Sequence, residues 1–442
     1  MNKVNDLIRK TARELFPRAV DLRRSFHRYP ETGWNEYRTA SLIAEILGKN
    51  GWTVKAGVEL TGSRERLGLP PAEVRAREYE RAKRDGAALS TLPLFKEGHT
   101  AVLGLLDCGE GPVTLLRFDM DALPIMESQS DGYRPLREGF VSRYPGVMHA
   151  CGHDGHAAVG ALLSEGVKQL RSLFRGKIVL LFQPAEEGVR GASSLLGLSF
   201  LKQADHVLGF HLLSAIPAGL VVPALNGIFA TTKYDYLFQG KAAHAGGDLR
   251  KGRNALLAAS RAVVDIHEKT AALRERGRAH VGIFRSGRGR NIIADYAELS
   301  MESRGDSDSL NTFISEQAWK TARQAASLFG CSVTREKKGE SSVCPQDETL
   351  RETVKKAVRM AGARIYPAPF SLGGSEDFSL LAREAACHQG RALYFGIGAG
   401  AKSGAAYEPH TSEYDIEEES LETALALLLS LLREVNGSGD AP

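Results

Sequence analysis

Apolar positions in the opening stretch of the chain recur at helical spacing. Leu7, Ile8, Leu15, Ala19 and Leu22 share one side of residues 5–25 with basic residues opposite, which predicts an amphipathic helix. A second helical run, Tyr37 to Lys49, stops at Asn50-Gly51, a pair suited to ending a helix. After residue 99 the apolar runs become short and continuous. Thr100–Leu106, Val113–Phe118, Lys177–Phe182 and Val207–Leu213 read as buried strands, and a helical stretch from Asp154 to Leu173 separates the middle pair. Strands alternating with helices predict the α/β class: a mainly parallel sheet with helices on both faces.

From about Gly219 the rhythm changes. Strand-like Tyr234–Gln239, helix-like Asn254–Leu273, strand-like His280–Arg285 and Tyr296–Glu302, helix-like Asn311–Leu328 and strand-like Cys331–Arg335 follow in turn. This βαββαβ order predicts an inserted α+β unit of ferredoxin-like type. A helix over 348–361, strand-like Ala392–Gly396 and a Leu-rich helix from Glu417 to Glu434 then resume the first pattern. The expected organisation is one domain in two pieces, 1–218 and 338–442, interrupted by a lid or dimerisation domain at 219–337. Residues 63–91 stand apart, densely charged and poor in large apolar side chains, and are expected to form a solvated helical excursion.

Composition narrows the class. With 442 residues, 43% hydrophobic and 25% charged, the chain is long enough for two domains and too apolar for extensive disorder. A net charge of +4 is small for this length and points to no nucleic-acid partner. The N-terminal run MNKVNDLIRKTARELF has no apolar core of a secretory signal, and no segment reaches bilayer length, so the expectation is a cytoplasmic protein without membrane contact. Five scattered cysteines fit reduced thiols, one of them available to a metal.

The densest chemistry lies in Met148–His156, where His149, Cys151, His153, Asp154 and His156 crowd one loop that opens a helix. A thiol, imidazoles and a carboxylate beside glycines supply lone pairs on a backbone able to bend around a transition metal. One loop is an incomplete site. Glu186 and Glu187, in QPAEEG after a buried strand, offer adjacent carboxylates, one to bind metal and one to stay free as a base. His211 lies inside VLGFHLL, His410 follows a late strand, and Asp119 and Asp121 in RFDMDALP are placed to orient ligands or bridge metals.

RRSFHRYPETGWNE (Arg23–Glu36), RFDMDALP, MHACGHDGH, QPAEEG, GKAAHAG (Gly240–Gly246), GRNIIA (Gly289–Ala294) and GGSEDF (Gly373–Phe378) run in an order that resembles the aminoacylase and carboxypeptidase superfamily of metal-dependent amidohydrolases. The similarity is strongest to the branch of hippurate hydrolase and the indole-acetyl-amino acid hydrolases. It implies that the two-piece domain is catalytic and holds two divalent ions through Cys151, His153, Glu187, His211 and His410. Manganese is favoured by family precedent, with zinc as the alternative that a thiolate suits. The resemblance makes Glu186 the general base and proton shuttle, with Asp119 and Asp154 supporting the ligands from behind. It also implies that His244 reaches a neighbouring subunit's site to steady the oxyanion, and that Asn291 and Arg304 bind the carboxylate of the released amino acid. Lys233 would serve a second carboxylate. The charged segment 63–91 and FATTKYD (Phe229–Asp235) resemble the members that cleave p-aminobenzoyl-glutamate, a folate breakdown product, and that work with a homologous sister subunit. The expectation is therefore an N-acyl amino acid hydrolase acting on that substrate. Indole-3-acetyl-aspartate, hippurate-type conjugates, or a weakly active subunit of a hetero-oligomer are the alternatives. Its partners would be a second copy, joined through the lid, or the sister subunit.

Overall fold

The computed structural model describes residues 2–62, 64–247, 249–273, 276–403 and 407–437. In chain order the strands are β1 (Thr53–Ala56), β2 (Val102–Asp107), β3 (Val113–Asp119), β4 (Lys177–Gln183), β5 (His206–Pro217) and β6 (Leu220–Val222). A second group follows: β7 (Ala230–Gln239), β8 (Gly277–Ser286), β9 (Tyr296–Gly305) and β10 (Ser332–Ser341). Last come β11 (Arg364–Ile365) and β12 (Arg391–Gly400).

The larger sheet has the order β1-β2-β4-β3-β5-β12-β6-β11. Its centre, β4-β3-β5-β12, is parallel throughout, as the apolar runs predict. Two helical layers cover it. Leu116, Phe118, Leu180, Phe182, Leu208 and Phe210 point to one face, packed with residues of helices Asn2–Arg28, His153–Gln169, Glu348–Ala361 and Glu419–Asn436. Their sequence neighbours Leu115, Val179, Leu181 and Val207 point to the other, against helix Phe378–Cys387. Burial on both faces is why these strands carry no polar alternation. The flanks differ from the parallel expectation: β1 and β2, β2 and β4, and β12 and β6 pair antiparallel. The sheet is mixed, with a parallel heart.

The second sheet is antiparallel in the order β10-β7-β9-β8. Helices Ala255–Thr270 and Asp308–Leu328 cover one face, each started by a side-chain cap: Asn254 accepts from Leu257 N at 3.1 Å and Ser307 from Leu310 N at 3.3 Å. Tyr236, Phe238, Ala297, Leu299 and Met301 fill the core beneath them. Strand alternation then turns Lys233, Glu302 and Arg304 to the opposite, uncovered face. β8 is an edge strand.

Residues 63–91 contain the helix Ala72–Arg84, in which Ala82 is the buried position. The stretch just before that helix turns inward instead. Leu67 is buried, and its carbonyl accepts from the Trp34 indole at 2.9 Å.

Candidate metal centre

The sheet's parallel heart ends in loops on one side, where an open α/β sheet gathers its ligands. Gly152, at φ 86, turns the chain from Cys151 into the helix His153–Gln169. A Cβ there would stand 2.9 Å from the Tyr414 hydroxyl, so this position requires glycine on two counts.

Two groups of donors share Cys151. Its sulfur, His153 and His211 offer ligand atoms within 4.8 Å of one another, and so do Cys151, Glu187 and His410. The Cys151 Sγ lies 3.5 Å from His211 Nε2, and His410 Nε2 lies 3.5 Å from Glu187 Oε1. Second contacts fix the rings. His153 Nδ1 donates to the Asp121 carbonyl at 3.0 Å and His211 Nδ1 to the Leu212 carbonyl at 2.8 Å, which leaves both Nε2 lone pairs directed at the cluster. His156 is used up differently. Its Nε2 accepts from Leu212 N at 2.9 Å, so its Nδ1 carries the proton to Asp119 at 2.5 Å. That ring is a spacer, and Asp119 stands 3.8 Å from His153 Nε2 behind it.

Asp121 also fixes the carboxylate pair. Its two oxygens accept from Glu186 N and Glu187 N, each at 3.0 Å. Asp154 faces away from the cluster, taking Arg23 Nε and His27 Nδ1 at 2.8 Å each on one oxygen and Gly155 N at 2.9 Å on the other. His149 is buried, and among the described residues neither of its nitrogens has a hydrogen-bond partner.

The electrostatics are those of an anion cluster. Burial alone would raise the Cys151 thiol, but the His211 and His153 rings outweigh it and hold the group well below its usual range. Burial raises Glu186 well above an ordinary carboxylate, and the charges of Glu376, Asp377 and Glu187 add to it. Hydrogen bonding to Cys151 and Glu187 raises His410 to about 10. Among the described residues the buried Glu187 Oε1 has His410 Nε2, at 3.5 Å, as its one long contact. Soft and hard anionic donors converging on one buried spot suit divalent cations.

Sequence reasoning passed over a supporting network. Arg117, buried in β3, donates from Nε to Gln183 Oε1 at 2.9 Å and from Nη2 to Glu376 and Asp377 at 3.0 Å each, and it also bonds Asp119. Glu376 Oε2 accepts from the Tyr394 hydroxyl at 2.5 Å. Asp377 accepts from Gly191 N and Ala192 N, just beyond the carboxylate pair. Two signals were present: a lone arginine inside an apolar strand, and adjacent acids in GGSEDF.

A cavity of about 440 Å³ joins these parts. Cys151, Glu186, Glu187, His211 and His410 form its floor, and Phe370, Leu372 and Ser375 line one side. Lys233 and Arg304 enter from the uncovered face of the smaller sheet. Arg304 is already engaged, with Nε 2.7 Å and Nη2 3.2 Å from the two oxygens of Glu302. His244 and Asn291 are absent from the lining. Both are exposed and lie together, with His244 bridged to Ile292 and Ala245 N donating to the Asn291 carbonyl at 2.9 Å. Gly246 N donates to His244 Nδ1 at 3.0 Å.

Thiolate, imidazole and carboxylate donors at the end of a parallel sheet, with an acid beside them and a cationic wall opposite, equip a pocket to cleave amides of anionic molecules. Residues 115–434 match the model of Peptidase family M20/M25/M40, and the chain belongs to that family of metal-dependent peptidases and amidohydrolases. It is 37% identical over 431 residues to a p-aminobenzoyl-glutamate hydrolase subunit of Escherichia coli (strain K12), covering 97% of each chain. It is 36% identical over 425 residues to indole-3-acetyl-aspartic acid hydrolase of Enterobacter agglomerans, covering 96% of this chain and 97% of the relative. The crystal structure of an aminobenzoyl-glutamate utilization protein from Klebsiella pneumoniae superposes with a TM-score of 0.80 at 30% identity, covering 96% of this chain and 98% of that one.

Proposed function

We propose that this chain hydrolyses the amide bond of p-aminobenzoyl-glutamate to p-aminobenzoate and glutamate. The observation that carries the reading is the single cavity that sets the Cys151–Glu187 cluster against Arg304 and Lys233. A substrate that carries carboxylates on one side of its amide matches that arrangement in charge.

Cys151, His153 and His211 would hold one divalent ion and Glu187 with His410 the other, Cys151 being common to both groups. Manganese is the proposed ion and zinc the alternative. When bound, the pair supplies Lewis acidity to the scissile carbonyl and to the attacking water. Glu186 accepts the proton that water gives up as the new C–O bond forms, and then returns it to the departing glutamate nitrogen, so that the C–N bond breaks. Asp121 keeps Glu186 in place for both transfers through its backbone bond. Arg304 grips a substrate carboxylate in its planar fork, replacing Glu302, and Lys233 takes the second.

His244 and Asn291 act across a dimer in this reading. The lid and pairing domain, expected over 219–337, is in this reading the smaller sheet with its helices, Ala230–Ser341, because β6 (Leu220–Val222) pairs within the larger sheet and β10 runs on to Ser341; residues 1–229 and 342–442 form the catalytic domain. Exposed Leu256, Leu257, Val264, Ile283, Phe284 and Ile292, together with the open edge of β8, support a second copy docking there. A homologous sister chain is the alternative occupant, suggested because the Escherichia coli relative is itself named as one subunit of its hydrolase. Among the described residues no helix is long and apolar enough to cross a membrane, and the proposed location is the cytoplasm.

The second reading is hydrolysis of indole-3-acetyl-aspartate, favoured by the near-equal identity of the Enterobacter agglomerans relative. The deciding experiment is amine release by the metal-stripped chain re-supplied with manganese or zinc, beside a Glu186→Ala control. Metal-restored turnover of p-aminobenzoyl-glutamate that the control lacks supports the proposal. Turnover of indole-3-acetyl-aspartate alone replaces the substrate and keeps the mechanism.

A further inference from the structure

Glu186 and Glu187 stand on a turn that the backbone does not favour. Ala185, Val189 and the intervening Gly188 all have left-handed φ, of 51°, 56° and 86°. Non-glycine residues keep such angles only where their surroundings over-determine them. Asp121 and Glu36 hold the turn from inside, the latter accepting from Ala185 N at 2.8 Å. On the outside the holder is Arg190.

Arg190 Nε donates to the Glu187 carbonyl at 2.7 Å, and Nη1 donates to the Gly68 carbonyl at 3.2 Å. The guanidinium is half-buried, and among the described residues it forms no ion pair with a carboxylate. Its passage is shaped for it. A Cβ on Gly33 would stand 2.3 Å from Nη2, and one on Gly68 would stand 2.8 Å from Cδ. The same turn meets the smaller unit, since Glu340 N at the end of β10 donates to the Val189 carbonyl at 2.7 Å.

We propose that Arg190 is a positioning residue for the Glu186–Glu187 pair, and that the charged segment 63–91 belongs to the site through Gly68, where the far end of that guanidinium is anchored. The proposal rests on the reading of Glu187 as a metal ligand. Holding the Glu187 carbonyl fixes the peptide plane from which its carboxylate projects. A planar fork reaches two carbonyls at once; a lysine ammonium in its place keeps one and loses the other.

The test titrates metal-stripped parent, Arg190→Met, Arg190→Lys and Glu187→Ala proteins with manganese by calorimetry. Melting of the metal-free forms and the kinetics of the restored enzymes on p-aminobenzoyl-glutamate are followed in parallel. Loss of a partner behind a metal ligand costs about tenfold or more. Arg190→Met is expected to bind its weaker manganese ion about tenfold less tightly and to lose about tenfold in kcat with little change in KM. Arg190→Lys falls between it and the parent, and metal-free melting shifts little. Parental manganese affinity in both Arg190 variants, with Glu187→Ala impaired, overturns the positioning role alone. Parental affinity in Glu187→Ala overturns the metal reading beneath it. If Arg190→Met does not fold, Arg190→Lys decides: weakened binding supports the role and parental binding overturns it.

Discussion

Glu302 occupies the guanidinium fork of Arg304, two residues further along β9, at 2.7 and 3.2 Å. Both side chains are mostly shielded, and Lys233 lies directly across the ladder from Glu302. The cationic wall of the cavity therefore holds an internal carboxylate where a substrate carboxylate is expected to bind. Glu302→Gln should lower KM for p-aminobenzoyl-glutamate about three- to tenfold, because the incoming anion no longer competes. Arg304→Ala should raise it about ten- to a hundredfold, the worth of a charge-assisted pair. Steady-state kinetics at two salt concentrations checks both, and an unchanged KM in both variants removes Arg304 from substrate binding.

Asp121 meets the site at three points: both carboxylate oxygens hold the Glu186–Glu187 backbone, and its carbonyl orients His153. Asp121→Ala keeps the carbonyl and loses the other two bonds. Its manganese affinity should fall about ten- to a hundredfold, measured on the metal-stripped protein. Asp154→Ala should act differently, since Asp154 bonds Arg23 and His27 away from the cluster. It takes one carboxylate from each of two buried cationic groups, leaving Arg23 to Asp415 and His27 to Glu127, and should lower the melting temperature more than it weakens metal binding.

His27 sets a pH limit on stability. Burial would lower it, but hydrogen bonds to Asp154 and Glu127 outweigh that and lift it from an ordinary 6.5 to about 9. The folded state thus keeps a proton that the unfolded chain releases near 6.5. The contribution is complete below that pH and disappears as pH rises through about 9. Melting temperature should fall from about pH 7 to about pH 10, and His27→Gln should flatten this part of the curve. A slope identical in the variant would assign the effect elsewhere.

If His244 serves a neighbouring copy, two inactive proteins should repair each other. Mixing His244→Ala with Glu186→Ala under subunit exchange should restore part of the activity, because each mixed dimer contains one site with both groups intact. Ile283→Lys on the edge strand β8 should give monomers by light scattering and lose activity with them. Complementation that never occurs, with dimers shown to exchange, would place His244 outside the reaction.

Much of this was legible because it is local. Cys151 and His153 sit two positions apart, and the central strands announce themselves as unbroken apolar runs because both their faces are buried. The smaller unit's βαββαβ order followed from the change in period. What escaped notice depends on contacts between distant segments. Arg117 meets Glu376 and Asp377 across most of the chain, and no spacing rule links them. The antiparallel flanks depend on pairing partners, which an apolar run does not specify. The helix Phe378–Cys387 is short and lies directly behind an acidic pair, so its period hardly registers. Residues 63–91 read as solvated because their tie to the site runs through the backbone carbonyls of Leu67 and Gly68, which any sequence would possess.

The proposed ligands come from positions 151, 153, 187, 211 and 410, and the smaller sheet intervenes before the last of them. A ribosome translating this chain exposes four donors well before it reaches His410. With these residues as the ligands, the nascent protein would present a half-built cation trap while roughly the next 200 residues are made, about 10–40 s at ordinary elongation rates. Full affinity arrives only when the C-terminal piece docks. With the ligands so divided, loading becomes a late step of biogenesis that waits for the C-terminal piece.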